Sequence, residues 1–213
     1  MNKIRYLLST GPLLAFLCLN SNLYAGSCAT VSPNIQLSNN MWAEIKPQKL
    51  TQEEVAKLFA FFKGLDGRWK GDGHFTECKT RGKKIYEKLQ QQIVNMKIAR
   101  SSEHRYNITA DIYDTGQKKH TNYKFIIYKK DNLINIKGEG DIEFASLSSE
   151  GISFRTQTLL NIQRHSGGKS TQTRISQESV RIFELAGGQL HFSIADFHNG
   201  AMISYSEWQL AKE

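Results

Sequence analysis

The sequence predicts an all-β domain: an up-and-down antiparallel β-barrel of about nine to ten strands with one N-terminal helix. Three observations predict it. From Gly67 onward apolar residues recur at every second position, the period of a strand with one buried and one wet face. The interruptions are short and carry turn residues, as at Asp114-Thr115-Gly116, Lys130-Asp131-Asn132, Gly167-Gly168, Gly187-Gly188 and Asn199-Gly200. Segments of roughly 10 to 15 residues joined in sequence by such turns favour a closed meander over a sandwich, because closure removes the edge strands.

In chain order the first element is a leader. Lys3 and Arg5 form a positive start, Tyr6 to Leu19 is mostly apolar, and Ala25 precedes Gly26 at a small-residue cleavage position. This is the pattern of a secretory signal peptide over 1–25, and it predicts a periplasmic or secreted protein. The apolar run is shorter than the ~20 residues a spanning helix needs. Because Ala25-Gly26-Ser27 precedes Cys28, lipidation of Cys28 stays open as an alternative. Cys18 leaves with the leader, so Cys28 and Cys78 remain, and an even pair in an oxidising compartment predicts one disulfide between them. Loss of Lys3 and Arg5 lowers the net charge from +8 to +6. The surplus gathers at predicted hairpin tips (Lys79, Arg81, Lys83, Lys84; Lys118, Lys119; Lys129, Lys130), as solvated tips or as a peripheral contact with an anionic membrane surface. No nucleic-acid partner is read from this pattern.

Residues 26–50, with Pro33, Pro47 and little periodicity, predict an extended arm; the helix and barrel occupy 51–213. Thr51 and Glu54 form a capping box, Val55, Leu58, Phe59 and Phe62 recur at helical spacing, and Gly64 is placed to stop the helix. Strands are predicted near 68–77, 84–99, 104–114, 120–130, 132–145, 151–164, 171–185, 189–198 and 201–211. In the fifth, Ile134, Ile136, Gly138, Gly140, Ile142 and Phe144 share the buried face, and Asn135, Lys137, Glu139, Asp141 and Glu143 the wet one. Such a wet row cannot face lipid, which argues against an outer-membrane barrel.

The first strand opens Gly67-Arg68-Trp69-Lys70-Gly71-Asp72-Gly73 after a short helix. This resembles the calycin group: lipocalins, fatty-acid-binding proteins and the nitrobindin-like branch. The resemblance implies that Trp69, introduced by Gly67, plugs the closed end of the barrel beneath the helix. It also implies a small, mostly apolar ligand inside, such as a lipid, a fatty acid or a tetrapyrrole. The chain departs from the group in ways that bear on cargo. His74-Phe75-Thr76 stands where nitrobindin-like proteins have Tyr-Pro, and the last strand, Ala201 to Ala211, holds neither their haem-binding His nor the Arg-x-Tyr pair of fatty-acid-binding proteins.

Candidate ligand-binding positions follow from alternation. Gly138 and Gly140 project inward, to curve the strand or to admit a ligand. Thr156 and Thr158 lie on the buried face of the sixth strand. Arg181 shares a face with Ile175, Gln177, Ser179, Phe183 and Leu185; facing inward it needs a carboxylate, from Asp196 or from a ligand, and facing outward it is solvated. Asp196 and His198 share the face of Leu190, Phe192 and Ile194 near a barrel mouth. No HExxH, His-x-His or Gly-x-Ser-x-Gly occurs among the six His and the serines, so no metal, cofactor or catalytic residue is predicted. Two other readings stay in view: a filled barrel that binds partners in the cell envelope through its surface, and a hydrolase or isomerase in which Asp196, His198 and Ser204 or Ser206 meet across the final hairpin.

Overall fold

The computed structural model describes residues 45–46, 48–81, 84–131, 133–166 and 169–213. The leader, most of the arm and Cys28 lie outside the described residues. One helix, α1 (Gln52–Gly64), precedes β1 (Gly67–Arg81), β2 (Lys84–Ser102), β3 (Arg105–Asp114), β4 (Lys119–Lys130), β5 (Leu133–Ile136), β6 (Asp141–Leu147), β7 (Gly151–Ser166), β8 (Lys169–Ala186), β9 (Gln189–His198) and β10 (Ala201–Lys212).

Every strand runs antiparallel to its neighbour in sequence order, and β1 pairs with β10 from Trp69↔Lys212 to Glu77↔Ser204. The result is a nearly closed up-and-down barrel whose one unpaired junction is the seam between β5 and β6. The Asn199-Gly200 and Gly187-Gly188 tips carry positive φ at both residues, as tight hairpin turns require.

The predicted fifth strand is corrected. It is two strands, β5 and β6, separated by a turn at 137–140. The tenth strand comes from this split. Gly138 sits exposed in the turn at φ +83, where a side chain is strained, so it does not project inward from a strand. The turn has an even number of residues, so the alternation of β5 runs into β6 in phase and the break leaves no mark on the pattern. The wet row of this segment is therefore interrupted; the outward faces of β2 and β3, with Asn95, Lys97, Thr109 and Asp111, keep the exterior polar.

The helix forms as its capping box directs. The Thr51 side chain accepts from the Glu54 N–H and the Glu54 carboxylate accepts from the Thr51 N–H at 2.7 Å. Gly64 is the last helical residue; the cap is Leu65, in right-handed conformation. The face formed by Val55, Leu58, Phe59 and Phe62 enters the core at the end of the barrel where β1 starts and β10 ends. Trp69 is 2% exposed there, and its indole N–H donates to the Leu65 carbonyl at 2.8 Å, tying helix to strand. Gly73 has a packing role: a Cβ on it would lie 2.6 Å from the Trp208 ring, so β10 can lay that indole against β1 only over a glycine.

The last residues of the arm strap the seam. Gln48 accepts from the Phe144 N–H at 2.8 Å, on the side of β6 that β5 does not pair. The Ile45 N–H donates to Gln157 Oε1 at 2.9 Å, and Gln157 in turn joins a buried network with Ser176 and Glu178. On the outer face Val180, Ala195 and Phe197 form a second, small apolar cluster.

Candidate functional site

The interior is built from inward-facing residues that register stacks in layers. Val94, Met96 and Ile98 of β2 lie beside Ile112, Ala110 and Ile108 of β3, and Phe183 of β8 beside Phe192 of β9, itself beside Trp208 of β10. Rings dominate the middle layer. Phe183 and Phe192 have centroids 4.5 Å apart, and Phe192 and Trp208 5.0 Å. Tyr123 of β4 meets Phe192 and Trp208 at 5.9 Å each, and Phe62 of the helix meets Phe183 at 5.7 Å. In the strand order β4 and β9 stand five positions apart around the ten, on opposite walls. Rings from opposite walls in contact leave no room for a guest between them at this level.

Above the rings the inward residues turn polar. Arg181 is 4% exposed and faces inward. Its two terminal nitrogens donate to the two Glu139 oxygens at 2.8 and 2.6 Å, and its Nε donates to the Tyr123 hydroxyl at 2.8 Å. Thr156 donates to Glu139 at 2.6 Å, and the guanidinium lies over the Phe125 ring at 5.5 Å. Burial works against the charge on Arg181, but the Tyr123 and Glu139 contacts outweigh it and hold the group above its ordinary range. Burial likewise pushes the Tyr123 phenol up to about 12, with the Arg181 cation opposing it. Beside this group Asp196 accepts from Ser179 at 2.5 Å and from Ser204 at 2.8 Å. Gln92 accepts from the Trp208 indole at 2.9 Å at the edge of the ring layer, and the polar residues around Arg181 and Asp196 form a collar above that layer.

The expected carboxylate partner of Arg181 is thus corrected from Asp196 to Glu139, a residue that alternation placed on the wet face. The turn at 137–140 is the reason, since a side chain in a turn follows no strand parity. Gly140 stays close-packed: a Cβ there would stand 1.9 Å from the Gln157 carbonyl oxygen, so the approach it permits is that of β7. Thr156 is buried beneath Glu139, and Thr158 is half-buried one step nearer the tip. Asp196 and His198 do not act as a pair: His198 is exposed, 3.2 Å from the Gln177 amide nitrogen. Ser204 donates straight to Asp196 with no imidazole between them, so the serine–histidine–aspartate arrangement is not formed in this geometry. Tyr123, Ser179 and Ser204 complete the collar; the sequence points to Ser179 through the face it shares with Arg181 and to Ser204 as a hydroxyl near Asp196 in the final hairpin, but gives no signal for Tyr123. Among the described residues no group of three or more His, Cys, Asp or Glu is arranged to hold a metal. Cys78 is buried on β1, and its expected partner Cys28 lies outside the described residues.

A groove of about 500 Å³ lies on the outside of β6–β8, lined by Ala145, Ser153, Ile182 and Glu184, away from the collar.

No family model matches the chain, and no curated protein matches it. Among solved structures, a 12:0-ACP thioesterase from Umbellularia californica is similar at 5% identity, covering 79% of this chain and 95% of that one, with a TM-score of 0.16. A likeness at that level carries no argument. The nearly closed ten-stranded antiparallel barrel with one helix fits a calycin-like barrel in architecture.

Proposed function

We propose that this chain is an exported interaction module of the cell envelope: a filled barrel that binds through its open end and outer surface. The contact of Tyr123 with Phe192 and Trp208 across the barrel is the observation that carries this reading. A carrier of the expected kind gains affinity by burying apolar ligand surface at roughly 25 cal/mol per Å², and here the protein's own rings already bury that surface. Native mass spectrometry tests the proposal. Protein stripped of lipid and re-exposed to fatty acids and a tetrapyrrole is expected to show no stoichiometric adduct; a one-to-one adduct overturns it.

The second reading, a small apolar ligand bound by the barrel, is favoured by the half-exposed polar residues above the ring layer. Glu139, Asp196, Ser204 and Thr158 would orient the polar end of such a molecule at the mouth. The same adduct is its signature, and Arg181→Met would weaken it.

Export and the disulfide go forward together. Cleavage after Ala25 predicts an envelope-fraction protein beginning at Gly26, and a Cys28–Cys78 bridge predicts a mass about 2 Da below that of the reduced chain. A mass raised by acyl chains would instead assign Cys28 to lipidation.

A further inference from the structure

We infer that the open end docks onto an anionic lipid surface through two hairpin arms, an inference that rests on the surface-binding reading above. β10 pairs with β1 only as far as Glu77, and β3 with β2 only as far as Gln92, yet β1 and β2 pair with each other to Arg81↔Lys84. In the same way β6 leaves β7 at Gln157 and β9 leaves β8 at Gln177, while β7 and β8 pair on to Ser166↔Lys169. Residues 78–81 with 84–90, and 158–166 with 169–175, are therefore two-stranded arms that rise above the barrel wall, Gln91 and Ser176 at their roots still accepting from the Thr115 and Asn199 N–H groups. At ~3.3 Å per residue each arm extends roughly 25 Å. Strict antiparallel alternation puts both tips at the end opposite α1.

Two independent properties coincide on these arms. The first is charge. Counted in the sequence, the two segments carry eight cations, Lys79, Arg81, Lys83, Lys84 and Lys88 in one and Arg164, Lys169 and Arg174 in the other, against the single acid Glu87; Lys79 also pairs with Glu77 at 3.0 Å at the root of its arm. That net +7 exceeds the +6 of all of residues 26–213, so the remainder of that span is close to neutral. The β3–β4 turn at the same end adds Lys118 and Lys119, while Asp114 is buried and accepts from the Gln117 N–H at 2.8 Å. The second is exposed apolar surface. The large hydrophobic side chains exposed among the described residues are Tyr86 (51%), Leu89 (50%), Ile93 (41%) and Leu160 (37%). Three lie on the arms and Ile93 lies at the root of one.

Cations beside a tyrosine and two leucines match a bilayer interface, where phosphates lie over acyl chains and Tyr sits at headgroup depth. A polyanion such as RNA attracts the cations equally and offers nothing to Leu89 and Leu160, which favours the membrane.

Flotation with vesicles tests this, using the protein as purified from cells with its N-terminus checked by mass. Binding is expected to vesicles of phosphatidylcholine with about 30% phosphatidylglycerol, and to weaken at least about tenfold on phosphatidylcholine alone or in about 0.5 M salt. Lys79→Glu with Lys88→Glu is expected to cost about tenfold, and Leu89→Ser with Leu160→Ser severalfold, with circular dichroism and thermal midpoint unchanged. No flotation, flotation indifferent to phosphatidylglycerol, or RNA binding as tight as vesicle binding and insensitive to the leucine changes would each overturn it. If vesicles fail while native mass spectrometry shows no adduct, the lipid partner falls and the filled-barrel reading stands; an adduct removes that reading whatever the vesicles do.

Discussion

Cutting the Arg181–Glu139 pair from each side separates an interior polar device from a loosely held surface ion pair. The Arg181 side chain is 5% exposed and that of Glu139 23%, so the two truncations leave different orphans. In Glu139→Ala the guanidinium stays sealed with the Tyr123 hydroxyl as its remaining partner, and an uncompensated buried charge costs about 3–5 kcal/mol. In Arg181→Met the methionine can keep its packing on Phe125, and the Glu139 carboxylate retains the Thr156 hydrogen bond and reaches water, so the cost is about 1–3 kcal/mol. The double variant removes both charges and is expected to be more stable than Glu139→Ala alone. Urea unfolding followed by tryptophan fluorescence reads all three, since Trp208 contacts Tyr123 in the adjoining ring layer. Equal losses below about 1 kcal/mol for the two single variants, or strict additivity in the double, would refute the reasoning, because both are marks of a solvated pair.

Three further outcomes follow from the geometry. Gly140→Ala forces a Cβ to 1.9 Å from the Gln157 carbonyl and is expected to cost about 3 kcal/mol or more, whereas Gly138→Ala, with open space but positive φ, costs about 1 kcal/mol; denaturation midpoints that rank the two the other way would contradict the turn at 137–140. Tyr123 and Tyr205 ionise near 12 when folded against about 10 when unfolded, chiefly because both are desolvated. The unfolded chain thus loses those protons first, and the stability they contribute, complete below pH 10, is lost as pH rises from about 10 to 12. Absorbance at the phenolate band should show Tyr123 and Tyr205 as late tyrosines, with Tyr106 shifted upward by burial as well, and a single wave near pH 10 ahead of unfolding would contradict it. Thr51→Ala removes the helix cap and is expected to lower stability by about 1 kcal/mol in the same urea assay, with no change meaning that the box is not formed in solution.

Alternation, turn residues and the capping box are local signals, and what they determine is local: the helix, the long strands, the hairpin tips and the inward placement of Trp69, Phe183 and Phe192. Sequential hairpins then leave little freedom in strand order, so β1 beside β10 and the barrel itself were also legible. The collar was not. Parity survives an even-numbered turn, so the sequence could not reveal that β5 ends at Ile136, and without that break Glu139 reads as a wet-face residue. Its partner Arg181 lies 42 positions away on β8, and Tyr123 of β4, whose hydroxyl accepts from that same guanidinium, lies 58 positions from Arg181. Such contacts depend on which strands the closed wall brings face to face across the interior. Whether that interior is hollow is likewise a tertiary fact, since volume is filled only when rings from opposite walls meet, as Tyr123 and Phe192 do.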